Sequence, residues 1–132
     1  MRNLILLPLL LVFSTCCFGI NLEGNSAQKV YLTFNQPLEK VSKDWDLLIL
    51  KSYLDSSVEI DETEFQAASK LGKVTKCENS KLTGPYTPKL MGNISYITNC
   101  TFSNGAGKVE IQAEFSESGE YSKILLFKVT PI

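Results

Sequence analysis

The sequence predicts an α+β fold in which N-terminal helices pack on a curved four-stranded antiparallel sheet. Three observations predict it. Apolar residues recur at steps of three and four as far as residue 48, the spacing of one helix face. A capped helical stretch then closes on Gly72, and beyond it the apolar period changes to two, with turn residues between the runs.

Residues 1–19 read as a signal peptide. Arg2 gives a positive start, Leu4 to Phe13 an apolar run interrupted by Pro8, and Cys17-Phe18-Gly19 a small-residue cleavage site after Gly19. The apolar run is short of the roughly 20 residues that span a membrane, and no later segment is longer, so an exported chain without an integral span is expected, periplasmic or secreted. Cys16 offers a competing lipid-anchor position, although Phe13 and Thr15 fit that recognition box poorly. Taking nineteen residues from 132 leaves 113, residues 20–132, a usual size for one domain. Cleavage takes one of the 13 bases, Arg2, and none of the 14 acids, so the mature chain carries a charge of −2 and gives no reason to expect nucleic acid as a partner.

Cys77 and Cys100 survive cleavage, and in an oxidising compartment an even pair implies a disulfide. With no histidine in the chain, two thiolates do not make the usual tetrahedral zinc set, and no metal or cofactor is expected.

The helical stripe is Ala27, Val30, Phe34, Leu38, Val41, Trp45 and Leu48. Pro37 falls inside it, where a missing N–H predicts a kink or a fresh start; Lys29 to Phe34 also alternates and is rich in β-formers, which leaves a strand before Pro37 open. Asp44 has the place of an N-cap for a helix over 45–54, and Asp61 with Glu64 has capping-box spacing for one over 62–71. Residues 73–78 form the first expected strand, and Asn79 to Gly92, with Gly84-Pro85 and Pro88, a long connection and candidate functional loop. Residues 94–103, 109–117 and 121–130 complete a meander. A loop of Glu117, Ser118 and Gly119 pairs Phe115 with Tyr121, Ile111 with Leu125 and Val109 with Phe127; a turn over 104–107 pairs Phe102 with Val109, Cys100 with Ile111 and Tyr96 with Phe115. All share the inner face, which puts the disulfide beneath the helices. The other face is polar apart from Ile97, Ile124 and Leu126.

This order of pieces, with Lys43-Asp44-Trp45-Asp46, Lys70-Leu71-Gly72-Lys73-Val74 and the meander from Tyr96 to Val129, resembles the small exported bacterial proteins of the nuclear-transport-factor-2-like, or cystatin-like, cone fold. The resemblance covers nearly all of residues 20–132 and implies a sheet wrapped around helices, its interior filled or holding a ligand. Catalytic members of that group, such as steroid isomerases and small cyclases, place Asp, Tyr or His inside the cone. Here the inner face offers Tyr96, Tyr121, Thr98 and Lys123, with no aspartate, and no catalytic residue carries over by motif.

The acids at 44 and 46, and at 61, 62 and 64, lie at expected helix N-termini, where capping and the helix dipole account for them. Lys123 beside Tyr96 and Tyr121 is the candidate ligand-contacting set, a buried lysine being able to act as nucleophile or base and a strand-end lysine to snorkel. Asn93-Ile94-Ser95 and Asn99-Cys100-Thr101 have the spacing of N-glycan acceptors, which a eukaryotic secretory pathway would use and a bacterium would not; the second has the disulfide cysteine at its middle. No Gly-x-Ser-x-Gly elbow or phosphate-binding glycine loop occurs.

The expected function is that of a non-catalytic exported module binding a small apolar ligand or a protein partner, at the cone mouth or the 79–92 loop, or forming a homodimer through Ile97, Ile124 and Leu126. The alternatives are a histidine-free lyase or isomerase working through an interior Tyr, Lys or Glu, and a cystatin-like protease inhibitor, although the Gln-x-Val-x-Gly loop of the latter is missing.

Overall fold

A computed structural model of the chain describes residues 26–85, 89–116 and 122–132. The expected signal peptide with Cys16, Tyr121 and the 117–119 turn lie outside these residues. Among the described residues three helices pack against one four-stranded antiparallel sheet.

The first helix, α1, runs through residues 26–44 in three joined segments: α-helical Ser26–Val30, π-helical Tyr31–Asn35 and α-helical Gln36–Asp44. The widened turn answers the Pro37 problem without a break. The N–H of Gln36 bonds to the carbonyl of Tyr31, five residues back, and Pro37, which has no N–H to give, occupies the first turn of the segment that follows. Helix therefore replaces the strand left open before Pro37. Val30, Phe34, Leu38 and Val41 are buried along the expected stripe, each stabilising the fold by about 1.5–3 kcal/mol relative to exposure.

Trp45 ends α1 in a left-handed conformation, φ 49°, its N–H bonding Val41 O at 2.7 Å. The stripe stops there, so Leu48, expected to continue it, is 73% exposed. The next N-cap is Asp46, not Asp44: its carboxylate accepts from Leu48 N at 2.9 Å and opens α2, Leu47–Tyr53. Asp61 caps α3, Glu62–Ser69, accepting from the N–H groups of Thr63 and Glu64 as its spacing predicted. Gly72 follows with φ 82°, the left-handed residue expected at this helix end.

The strands are β1, Val74–Thr83; β2, Gly92–Phe102; β3, Gly105–Phe115; and β4, Ser122–Pro131, in the spatial order β1-β2-β3-β4. β1 continues through Asn79, expected to begin a long loop, because the strand absorbs it in a bulge between Glu78 and Lys81, where Asn79 has φ 58°. The connection is correspondingly shorter, and residues 86–88, with Pro88 of the expected functional loop, lie outside the described residues.

Cys77 and Cys100 stand directly opposite on β1 and β2 and are joined as a disulfide, with Cys100 in the main core. Closing this loop stabilises the fold by about 3 kcal/mol on the chain-entropy account.

Two registers differ from expectation. Phe102 pairs with Gly105, Cys100 with Gly107 and Tyr96 with Ile111, because a two-residue turn at Ser103-Asn104 replaces the expected one over 104–107. The shift is by an even number, so the same residues still face inward. Between β3 and β4, Phe115 pairs with Ser122, Ile111 with Phe127 and Val109 with Val129, and Leu125 is the extra residue of a bulge. That bulge reverses the parity of the strand's first residues: Ile124, expected outside, is 4% exposed in the core, while Lys123, expected inside, pairs with outward Glu114.

Candidate functional site

Tyr96, the first of the expected ligand contacts, is 1% exposed. Its ring stacks on Phe34, 4.9 Å between centroids, and Phe34 in turn meets Phe115 at 6.3 Å, so this part of the helix–sheet interface is filled by side chains.

Around the Tyr96 hydroxyl lies a polar chain. Asn35 Nδ2 donates to Tyr96 Oη at 3.0 Å, Ser80 Oγ lies 3.2 Å from the same oxygen, Ser80 Oγ donates to Thr98 Oγ1 at 2.9 Å, and Thr98 Oγ1 donates to Glu78 O at 3.1 Å. Each hydroxyl has one proton. Because the proton of Ser80 is committed to Thr98, Tyr96 is the donor to Ser80, and the chain runs one way from Asn35 to the carbonyl of Glu78. It joins the π segment of α1 to the bulge in β1. Among the described residues no buried side-chain nitrogen or oxygen lacks a partner. Nothing in the sequence marks Asn35, Ser80 and Thr98 as a group, since only the bulge at Asn79 brings Ser80 to Thr98.

Lys123 is not brought to Tyr96. Its side chain is 42% exposed and pairs with Asp55 at 3.6 Å, beside the edge of β4, where Asp55 N also bonds Ile124 O at 2.9 Å. The hydroxyl and N–H of Ser57, with the charge of Lys123 adding to them, hold the Asp55 carboxyl below its usual value. On α1, the Tyr31 hydroxyl donates to Glu39 Oε1 at 2.8 Å, and that bond raises the Tyr31 pKa, with partial burial and the Glu39 charge acting in the same direction.

The structure also forms an apolar groove that the sequence did not reveal, between the 58–61 segment, α3 and β4. It encloses about 110 Å³, and Trp45, Leu50, Leu54, Ile60, Phe65 and Phe127 are prominent in its lining. Trp45 is fixed there by its Nε1–H, which donates to Gly72 O at 2.7 Å, and by its ring, which meets Phe65 edge-on at 5.5 Å and Phe102 at 6.3 Å. Glu59, Asp61 and Glu64 stand at the groove with Lys128, which lies 3.9 Å from Glu64. A second hollow of about 500 Å³ lies across the same segment, among Lys51, Asp55, Glu59 and Glu62.

The three expected interface residues do not form one patch. Ile124 is in the core, as above. Ile97, opposite Lys81 and Glu110, and Leu126, opposite Gln112, are half-buried on the same outer face, with β3 between them. Among the described residues no three His, Cys, Asp or Glu side chains are grouped to hold a metal ion, and no helix is long and apolar enough to cross a membrane.

Comparison with protein-family models, with curated proteins and with solved structures found no match for the chain.

Proposed function

We propose that this protein is a non-catalytic exported binding module that takes an apolar side chain of a protein partner into the Trp45 groove. The size and lining of the groove carry this reading. Sites for drug-sized molecules enclose about 300–1,000 Å³, whereas an apolar cavity of about 150 Å³ accepts benzene. A groove of about 110 Å³ lined by Trp45, Phe65 and Phe127 suits a single ring or branched side chain, the kind of anchor on which protein interfaces concentrate their binding energy. The acids at its rim favour a partner with basic residues flanking that anchor.

The hydrogen-bonding of Tyr96 and the solvent-side ion pair of Lys123 speak against the lyase or isomerase alternative, which needs an open interior holding a titratable group. The order of helices followed by a four-stranded meander supports a fold relationship with the cystatin-like cone proteins, one of architecture and not of source.

Trp45 is the chain's single tryptophan, so its emission reports directly on the groove. Titration with N-acetyl-phenylalanine amide should shift that emission saturably, and Ile60→Asp should abolish the response while circular dichroism stays unchanged. Emission that does not respond, or that responds equally in Ile60→Asp, overturns the reading.

A further inference from the structure

We propose that Asn93 and Asn99 are acceptors for N-linked glycans, and that the outer face of the sheet is a glycan-bearing face. Of the asparagines at 35, 79, 93, 99 and 104, only Asn93 and Asn99 have a serine or threonine two places on, Ser95 and Thr101. The fold puts both on one strand and one face. Along β2, Ile94, Tyr96, Thr98 and Cys100 are buried, while Asn93 and Asn99 are exposed on the opposite side. Residues two apart on a strand share a face, so each acceptor amide has its sequon hydroxyl beside it.

Asn93 lies opposite Glu114, and Asn99 lies between Glu78 and Lys108, a charged surroundings in which a solvated sugar displaces no apolar contact. Six residues of strand separate the two by about 20 Å, room for two separate chains.

The chemistry is a glycosyl transfer from a polyprenyl-diphosphate oligosaccharide. The side-chain amide nitrogen forms a bond to C1 of the terminal sugar, the bond from C1 to the diphosphate oxygen breaks, the amide proton passes to a base of the transferase, and the polyprenyl diphosphate leaves with the bonding pair. The reaction belongs to an oxidising lumen, the setting in which the Cys77–Cys100 disulfide also forms. Ile97 lies on the same face between the two acceptors, so a face carrying both glycans is closed to a tightly packed dimer, and partners are left the helix side and the groove.

The proposal rests on the export reading, and one assay separates the two. The full-length chain is translated with endoplasmic-reticulum microsomes and run on a gel with and without a peptide N-glycosidase. Import shows as protease protection and signal removal; two glycosidase-sensitive mobility steps are expected, one lost in Asn93→Gln, one in Asn99→Gln and both in the double variant. An imported, cleaved chain whose mobility the glycosidase does not change overturns the glycan proposal alone. A chain that is never imported overturns the export reading and the glycan proposal with it.

Discussion

The indole of Trp45 donates its Nε1–H to the carbonyl of Gly72 at 2.7 Å, joining two chain reversals, the left-handed end of α1 and the left-handed residue after α3. Replacing Trp45 by Phe keeps an aromatic ring against Phe65 but leaves that carbonyl without its partner. We expect a loss of about 1–3 kcal/mol, read from the urea midpoint followed by circular dichroism.

Gly72 itself tolerates no side chain. Its φ of 82° is costly for other residues, and an added Cβ would collide with the Ser103 hydroxyl, which accepts from Lys73 N in the neighbouring hairpin turn. Gly72→Ala should cost at least about 1–2 kcal/mol from the backbone alone, with a matching fall in the thermal midpoint.

The chain of hydrogen bonds from Asn35 to Glu78 should behave as one unit. Tyr96→Phe removes its first two links and leaves Asn35 without this acceptor and Ser80 without this donor, at about 1–3 kcal/mol. Ser80→Ala breaks the same chain one step later, so the double variant should fall short of additivity by about 0.5–3 kcal/mol in a denaturation cycle. Strict additivity would show that the links act independently.

Asp55 makes acid stability depend on one loop. Its folded carboxyl titrates below its unfolded one, chiefly through the hydrogen bonds from Ser57, so its stabilisation is present above the ordinary aspartate value near 3.9 and is lost as pH falls through the lower folded value. Asp55→Asn should therefore flatten part of the decline in thermal midpoint below pH 4 and leave the slope above pH 5 unchanged, as measured by melting curves across pH 2–7.

Removing the disulfide by Cys77→Ala with Cys100→Ala should cost about 3 kcal/mol and leave the strand order intact, because β1 is also held by Ser42 Oγ accepting from Val74 N at 3.1 Å. The urea midpoint gives the first quantity and backbone amide exchange in β1 the second.

What the sequence disclosed of this fold follows the range of each signal. Asp61 was legible as a cap because a carboxylate, two N–H groups and Gly72 at the far end all lie on one short stretch of chain, α3 and its flanks. The inward faces of β2 and β3 were legible because a register error of four leaves parity unchanged. The inward face of β4 was misread at its start, since the bulge at Leu125 is set by packing and carries no residue signature of its own; Ile124 and Lys123 exchanged sides as a result. The Trp45 groove was not legible at all. It is assembled from α1, α2, the 58–61 segment, α3 and β4, whose residues are distant along the chain, and Trp45 alone reads as an ordinary member of a helical stripe.

β1 forms one border of the sheet, and its two bulges have a consequence for crowded solutions. A straight, greasy border strand invites another chain to zip onto it and starts fibre growth. Here the ladder is interrupted at Thr75 and again at Asn79-Ser80, with the charged Lys76 and Glu78 between the interruptions and Lys81 just beyond, so an incoming strand finds neither a continuous row of partners nor an uncharged track. The irregularity that supplies Ser80 to the interior thereby also makes this border a poor template for another strand.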